Sequence, residues 1–411
     1  MFNIPSSEEN KYNLVKTINQ NSDFFCLLNS NQYTDLYGKT NWRLSTGRKH
    51  LLLTHAKGAF HKLKEFILDK SYAGFLGYDL KNDVEKLQSN NAVFIPFPEL
   101  FFFEEEIIFE EKESRILSQN SFELSSTISK SIYADAATPA INHLVSKAEY
   151  IEAIKKIQQH IIEGDVYELN YCIPFEISDI DIDPIDLYFE LNKKSPNPFS
   201  SLLKINDKYI VSASPERFLC KRNHRLISQP IKGTIKRSDD LENDKQALLN
   251  SEKERAENVM IVDLVRNDLT KSAKTGSIRV DELFGIYTYP QLHQMISTIS
   301  AELRKDIHII DAIKAAFPMG SMTGAPKVKA MELIEKYEVF KRGAYSGALG
   351  YIDEHGDFDF NVLIRSIFID TKNKKLTFNV GSAITLDSEP AQEYEECLLK
   401  AKAILETLKA S

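Results

Sequence analysis

Turns that form hairpins constrain the fold of this 411-residue chain more than any other feature of the sequence. Short polar turns at 354–356 and 371–375 separate apolar runs at 344–352, 358–370 and 376–386. Turns of this kind join antiparallel strands. Strands do not alternate regularly with crossover helices, which excludes a doubly wound nucleotide-binding fold. The sequence therefore predicts an α+β fold with antiparallel sheet.

Periodicity and end signals predict the remaining elements. Ser146 and Glu149 form a capping box before a helix that Gly164 ends, and the run at 166–177 alternates as a strand does. Further strands are predicted at 24–30, 49–55, 71–80, 92–106, 208–220 and 225–237. Further helices are predicted at 241–269, 308–316, 325–339 and 389–409.

The length allows two or three domains, at roughly 150 residues per domain. The stretch from 120 to 140 is rich in Ser, Thr and Ala, and it is the best candidate boundary. We therefore expect a β-rich N-terminal region at residues 1–135 and a second region at residues 140–411.

Composition excludes several classes of protein. A net charge of −8 argues against a binder of nucleic acid or anionic membrane. The four cysteines lie far apart without a CxxC pair, which predicts neither a disulfide framework nor a zinc cluster. The N-terminus lacks the pattern of a secretory signal, and the charge-poor window at 284–301 is too polar for a membrane span. We expect a cytoplasmic protein.

Two acidic pairs on predicted helices suggest a cation site. Glu254 and Glu257 are three residues apart, and Glu393, Glu396 and Lys400 also share one helix face. Mg²⁺ prefers one or two protein carboxylates together with waters and an anionic substrate. The alternative interpretation is that both pairs lie on solvated helix faces.

The segment GSMTGAPK places Gly320 and Gly324 in a tight turn before a predicted helix with Pro326 at its start. Backbone N–H groups at such a helix start bind anions. The spacing differs from the Walker pattern, so a nucleoside triphosphate is not implied. A plain helix cap is the alternative.

Three charged residues have both a structural and a functional interpretation. Lys232 is either an exposed strand-end charge or, if burial and nearby cations lower its pKa, a nucleophile. Glu216 follows a proline at a strand end, where a carboxyl projects into a cleft or forms a surface ion pair. Arg365 lies amid apolar residues of one predicted strand. It either packs at the rim of the core or binds a carboxylate through two hydrogen bonds.

The chain resembles the chorismate-utilising enzymes, which include the anthranilate, aminodeoxychorismate, isochorismate and salicylate synthases. The resemblance runs in family order from about residue 146 to the C-terminus, and AGFLGYDL resembles the family's N-terminal region. The motifs that carry it are SASPERF, PIKGTIKR, SEKERAENVMIVDLVRNDL, MISTISAEL, PMGSMTGAPKVKAMELI, RGAYSGALGYI, NVLIRSIFI, NVGSAITLDSEP and EYEECLLKA. The family implies antiparallel sheets packed face to face with flanking helices, and chorismate binding by residues 140–411.

The resemblance also implies a role for each matching position. Mg²⁺ would be bound by Glu257 and Glu396, with Glu254 and Glu393 in support. The substrate carboxylates would be held by Arg365, Tyr345, the backbone N–H of Gly381, and Lys400. Glu216 would be the general acid that protonates the departing C4 hydroxyl, and Thr323 would lie close to the ring.

Lys232 discriminates between branches of the family. Anthranilate synthases typically carry Ala in this motif, whereas PIKGT resembles aminodeoxychorismate synthases, in which the lysine adds at C2 before ammonia delivers nitrogen to C4. The implied reaction converts chorismate and ammonia to 4-amino-4-deoxychorismate, for p-aminobenzoate and folate. No cysteine has a glutaminase setting, so a separate glutamine amidotransferase subunit is implied as the ammonia source.

Three positions depart from the family pattern. Glu168 stands where ammonia-using relatives have Gln, Gln294 stands where relatives have His, and the glycine-rich GxG reads Gly381-Ser382-Ala383. Both Glu168 and Gln294 are expected near the substrate. The alternatives are an anthranilate synthase component I and a catalytically dead member that acts as a regulatory or binding subunit.

Overall fold

A computed structural model describes residues 2–123, 140–289 and 292–409. The helices in these ranges are α1 (Glu8–Asn21), α2 (Ala59–Phe66), α3 (Lys81–Val84), α4 (Lys147–Ile162), α5 (Pro184–Lys194), α6 (Leu241–Asn250), α7 (Glu252–Thr270), α8 (Ile309–Ala316), α9 (Lys327–Tyr337) and α10 (Pro390–Lys409). Short 3₁₀ turns occur at Tyr78–Leu80 and Gly320–Met322.

The strands in the same ranges form two antiparallel sheets. Those before residue 140 are β1 (Phe2–Pro5), β2 (Phe24–Asn29), β3 (Trp42–Thr46), β4 (His50–Leu53), β5 (Tyr72–Leu76), β6 (Leu100–Glu104), β7 (Ile107–Lys112) and β8 (Arg115–Ser118). The later ones are β9 (Asn142–His143), β10 (Glu168–Ser178), β11 (Phe199–Ile205), β12 (Lys208–Ser214), β13 (Arg217–Arg222), β14 (Arg225–Gln229), β15 (Ile231–Lys236), β16 (Arg279–Thr288), β17 (Leu292–Glu302), β18 (Gly324–Ala325), β19 (Ala348–Ile352), β20 (Phe358–Val362), β21 (Ser366–Asp370) and β22 (Lys375–Ile384).

Sheet A has the strand order β1-β8-β7-β3-β2-β11-β12-β21-β22-β10-β18, with β9 also paired to β10. Sheet B has the order β15-β17-β14-β13-β20-β19-β5-β6-β4, with β16 also paired to β17. The strand pairs in the described ranges are antiparallel. This confirms the antiparallel sheet that the hairpin turns predict.

The two sheets pack face to face over a shared core. Cys26 and Leu203 of sheet A belong to the same apolar cluster as Phe75 and Leu349 of sheet B, together with residues of α2, α7 and α8. A second cluster covers the outer face of sheet A, where α1, α4, α5, α9 and α10 pack. The layered α+β architecture is therefore confirmed, with helices covering sheet A on one side.

Two predicted strands are each divided between the sheets. The run at 208–220 is β12 in sheet A followed by β13 in sheet B, and the run at 358–370 is β20 in sheet B followed by β21 in sheet A. Both sheets are buried, so apolar residues continue across the crossing and conceal it. The prediction that Arg365 lies within a single strand is wrong, because Arg365 lies at the crossing between β20 and β21.

The helix predicted at 241–269 is two helices. Ser251 ends α6 and caps α7, because its hydroxyl accepts a hydrogen bond from the N–H of Glu254 at 3.4 Å. The capping box of α4 is confirmed. The sequence reading missed α1, whose polar residues dilute its apolar stripe.

The predicted boundary at 120–140 lies mostly outside the described residues, and the division into 1–135 and 140–411 stays a prediction. The two regions share both sheets, since β2 pairs with β11 and β5 pairs with β19. None of the helices in the described ranges has the length and apolar content that a membrane span needs.

Candidate active site

Helices α7 and α10 bring the predicted metal ligands together. Helix α7 carries Glu254 and Glu257 and packs on β15, and α10 carries Glu393 and Glu396 and packs on β22. Between the helices, Nζ of Lys253 lies 4.0 Å from Glu257 and 3.6 Å from Glu393. A cation, here an ammonium, thus lies between carboxylates of both helices.

The electrostatics of this cluster fit a bound cation. Burial raises the pKa of Glu257 to about 7, and neighbouring carboxylates add to the effect while Lys232 opposes it. Burial also raises the pKa of Glu254. The side chain of Glu396 is 48% exposed, and although partial burial would raise its pKa, the ammonium of Lys400 lowers it. Charging Glu254 and Glu257 without a cation is unfavourable, so the donor set suits a divalent ion.

No three of the four glutamates form a compact group of ligating atoms. In the described ranges, the group of three ligating side chains within 4.8 Å of one another is His160, Glu163 and Asp165, at the end of α4. Both ring nitrogens of His160 are hydrogen bonded there, one to Asp165 and one to Tyr337. The four glutamates therefore do not form a closed set of ligands, and their binding of Mg²⁺ stays a prediction.

Lys232 on β15 is buried, with 8% of its surface exposed, and its Nζ lies 3.6 Å from Oε1 of Glu168. Oε2 of Glu168 is buried without a hydrogen-bond partner among the described residues. Burial alone would lower the pKa of Lys232, but the carboxylates of Glu168, Glu257 and Glu216 outweigh burial and raise it. The expectation of a lowered pKa is wrong, because these carboxylates stabilise the ammonium.

Glu216 lies at the crossing between β12 and β13 and is also buried. Its carboxyl accepts hydrogen bonds from the Ser321 hydroxyl and the Ile231 N–H. Burial raises the pKa of Glu216 to about 7, and these bonds and Lys232 reduce the effect. A carboxyl with this pKa can both donate and accept a proton near neutral pH.

Arg365 lies between β20 and β21 with a φ of 50°, a backbone conformation that non-glycine residues seldom adopt. Its guanidinium has no hydrogen bond or ion pair to any residue in the described ranges. Burial lowers the pKa of Arg365, while Tyr289 and Glu216 oppose this effect. The arginine is therefore held in place by the backbone crossing and has free donors for an anion.

Cys172 of β10 lies opposite Gly381 of β22 and near the hydroxyl of Tyr345, and Lys400 bonds to Gly381. The N–H of Cys172 points away from β22 and donates to Glu338. Cys172 and Gly381, which lie opposite each other on β10 and β22, are therefore a non-hydrogen-bonded pair of the antiparallel ladder. The peptide groups of Gly381 therefore face the other way, where its C=O accepts a bond from Nζ of Lys400 at 3.0 Å. The Tyr345 hydroxyl lies 3.7 Å from Sγ of Cys172.

Two residues of the predicted site, Thr323 and Gln294, lie among other partners. The Thr323 hydroxyl donates to carbonyls of its own turn, those of Met319 and Gly320. Gln294 on β17 is paired with Thr234, and its Oε1 is buried without a partner among the described residues. Among the described residues, neither side chain forms a hydrogen bond or ion pair with the carboxylate cluster, so their roles near the ring stay predictions.

The sequence reading missed residues that support the site. Lys253 lies four residues before Glu257, a spacing that signals contact on a helix, and Ser321 lies within the glycine turn. A cavity of about 20 Å³ lies behind Glu216 and Ser321. A larger one, about 420 Å³, lies elsewhere, beside Asp35 and Arg217. The predicted residues therefore gather away from the larger cavity.

Comparisons with known proteins identify relatives of this chain. An aminodeoxychorismate synthase of Streptomyces griseus is 42% identical over 263 residues, which are 63% of this chain and 36% of that protein. The aminodeoxychorismate synthase component 1 of Escherichia coli (strain K12) is 39% identical over 267 residues, 64% of this chain and 58% of that protein. The chain thus spans less than two thirds of the length of these relatives.

A solved structure shows the same fold. The anthranilate synthase component I from Streptococcus pneumoniae TIGR4 superposes with a TM-score of 0.77 at 24% identity, covering 91% of this chain and 94% of that one. The family model described as chorismate binding enzyme matches residues 19–406, nearly the whole chain. The chain therefore belongs to the chorismate binding enzyme family.

Proposed function

We propose that this chain converts chorismate and ammonia to 4-amino-4-deoxychorismate. The observation that carries the proposal is the position of Lys232, whose ammonium is buried beside Glu168 and within the electrostatic reach of Glu216 and Glu257. A lysine buried beside a general acid suits covalent catalysis. The names of the relatives support the same activity.

The residues of the chain account for the steps. Arg365 and Lys400 bind the substrate carboxylates, together with the peptide N–H of Gly381. Lys232 passes a proton to Glu168, and its neutral amine forms a bond to C2 of the ring. The C4–O bond breaks as Glu216 gives its proton to the departing hydroxyl, which leaves as water.

The second half of the reaction restores the protein. Ammonia forms a bond to C4 and returns a proton to Glu216. The bond between Lys232 and C2 breaks, and Lys232 recovers its proton from Glu168. The net change is the replacement of a hydroxyl by an amino group with release of water, so neither carboxyl needs an outside proton.

Magnesium belongs to the proposal. Glu257 and Glu396 would bind Mg²⁺, with Glu254 and Glu393 in support, and the ion would neutralise the charge of the bound ring carboxylate.

The ammonia source and location are also proposals. The naming of relatives as component 1 supports a partner component, and we assign it as a glutamine amidotransferase subunit. The four cysteines of the chain are buried and unpaired, which supports a reducing compartment such as the cytoplasm. We propose no nucleic-acid or membrane partner.

Product analysis tests the proposal. The purified chain is incubated with chorismate, ammonium and Mg²⁺, and the products are separated and identified by mass spectrometry. The expected product is aminodeoxychorismate without pyruvate. Anthranilate with stoichiometric pyruvate would assign the chain to the anthranilate-forming activity instead, and unchanged chorismate would favour a binding or regulatory role.

A further inference from the structure

A buried ion pair lies directly behind the predicted site. Glu338 follows α9, Arg342 lies four residues further on, and both side chains are only 1% exposed. Nη2 of Arg342 is 2.6 Å from Oε1 of Glu338, and Nε is 2.9 Å from Oε2, so the pairing is bidentate. The guanidinium also lies over the ring of Tyr78. The site as predicted from the sequence includes neither residue.

The pair occupies a gap along one edge of β10. On that edge β18 pairs with residues 168–169, the N–H of Asn170 donates to the C=O of Thr323, and β9 pairs with residues 175–176. Between residues 169 and 175, no strand in the described ranges pairs with this edge. The N–H of Cys172 donates to Oε1 of Glu338 at 2.9 Å, and Nη2 of Arg342 donates to the C=O of Asn170 at 2.9 Å. Two side chains thus replace a missing strand, because buried peptide groups require partners.

The same arginine reaches two more segments of the site. Nη1 of Arg342 donates to the C=O of Met322 at 2.6 Å and to the hydroxyl of Ser346 at 3.3 Å. Met322 precedes Thr323 in the glycine turn, and Ser346 follows Tyr345. Ser346 in turn donates its N–H to Leu363, two residues before Arg365.

We infer that Glu338 and Arg342 are positioning residues that fix β10, the glycine turn and the Tyr345 loop at the distances that substrate binding requires. The inference rests on the proposed site for chorismate. Each segment carries at least one predicted ligand: Glu168 on β10, Thr323 in the turn, and Tyr345 in the loop. One planar guanidinium with five donors can bridge all three, whereas an ammonium has three donors around a single nitrogen.

The test compares Arg342→Lys with Arg43→Lys in the full chain. Arg43 on β3 is the matched control. It is a buried arginine that pairs with Glu105 and Glu110, and it lies outside the predicted site. Chorismate affinity is measured by calorimetry with Mg²⁺, and amide hydrogen exchange is measured for peptides that cover β10. A melting curve of each variant reports the general loss of stability.

The expected result separates positioning from general stability. Arg342→Lys should weaken chorismate binding roughly 10-fold to 100-fold and should speed exchange at residues 170–172, because an ammonium cannot keep all of the bonds of the guanidinium. Arg43→Lys should lower the melting temperature without either effect. Glu338→Gln, which keeps an acceptor for Cys172, should give a smaller loss of affinity and serves if Arg342→Lys does not fold.

Several outcomes would overturn the inference. Unchanged exchange at residues 170–172 in both Arg342→Lys and Glu338→Gln would do so, as would a loss of affinity no larger than that of Arg43→Lys. A wild-type chain that binds chorismate but forms another product would overturn the proposed function alone, since the affinity comparison would still decide the positioning role. A wild-type chain that does not bind chorismate would overturn both.

Discussion

The ion pair between Lys232 and Glu168 joins the two sheets at the predicted site. Lys232 lies on β15 of sheet B, Glu168 lies on β10 of sheet A, and 3.6 Å separates Nζ from Oε1. The nearby carboxylates raise the pKa of the lysine and so favour its charged form. A nucleophilic role therefore requires an acceptor for its proton, and Glu168 is the nearest one.

Glu168→Gln should shift the pH at which Lys232 becomes neutral. Glu168 contributes the largest of the carboxylate effects that raise the pKa of Lys232, so removing its charge should lower that pKa. The rate at which an amine-specific acylating reagent modifies Lys232, followed by mass spectrometry across pH, should reach its midpoint at a lower pH in the variant. Lys253 is the internal control. A midpoint that is unchanged or higher would contradict the electrostatic assignment.

Glu216→Gln should change the pH dependence of stability. The folded-state pKa of Glu216, about 7, exceeds the value of about 4.3 expected when unfolded. The stabilisation by the protonated carboxyl is present below the unfolded pKa and is lost as pH rises through the folded pKa. Because Gln does not ionise, the stability of the variant does not fall in this way as the pH rises. Its stability should therefore rise relative to wild type between about pH 4 and pH 7, by on the order of 3 kcal/mol, in urea unfolding.

A control of opposite sign is available at the start of α4. Hydrogen bonds from Ser146 lower the pKa of Glu149, so its stabilisation is present above the unfolded pKa and lost as pH falls. Glu149→Gln should therefore become less stable relative to wild type as pH rises from acid. The same direction of change in both variants would count against the assignment at Glu216.

Much of the fold follows from the sequence because hairpin turns and helix caps are local signals. The capping box of α4 and the turns at 354–356 and 371–375 act within a few residues and lie where they were predicted. Crossings between sheets depend on tertiary packing instead. The crossing at Arg365 has no turn residue and continues an apolar run, so periodicity cannot locate it.

In the candidate site, too, features that depend on local spacing could be predicted and features that depend on distant segments could not. Helix spacing places Glu254 with Glu257 and Glu393 with Glu396, and the structure brings the two helices together. The sequence could not give the charge of Lys232, because that charge depends on Glu168 and Glu257 from distant segments. Nor could it give the role of Arg342, which depends on a gap between two short strands.

Gly381→Ala should disturb the pairing of β10 with β22. A Cβ at this position would lie 2.5 Å from Sγ of Cys172 and 2.7 Å from the C=O of Tyr171, so the strands would have to move. Overpacking of this kind typically costs about 1–3 kcal/mol. Urea unfolding should show this loss, and chorismate affinity should fall with it. Adding Cys172→Ala should recover part of the stability, and no recovery would locate the strain elsewhere.

Glu257→Ala and Glu396→Ala should each abolish turnover while the protein stays folded. Each variant loses one of the two proposed direct ligands, and Mg²⁺ accepts few substitutes for carboxylate oxygen. Magnesium affinity in the presence of chorismate should fall, as measured by calorimetry, and a chelator should inactivate the wild-type chain reversibly. Glu252→Ala, an exposed position on the same helix, is the matched control. Full activity of either variant at saturating Mg²⁺ would exclude that residue as a ligand.

The purified chain should use ammonium but not glutamine. Amide hydrolysis by a cysteine nucleophile needs an accessible thiolate, yet all four cysteines are buried. Burial also raises the pKa of each thiol, which keeps the reactive form scarce at neutral pH. Turnover is measured with ammonium chloride, with glutamine, and with glutamine plus a glutamine amidotransferase subunit. Only the first and third mixtures should form product. Glutamine-supported turnover by the single chain would show that it supplies its own ammonia, and the proposed partner would then be unnecessary.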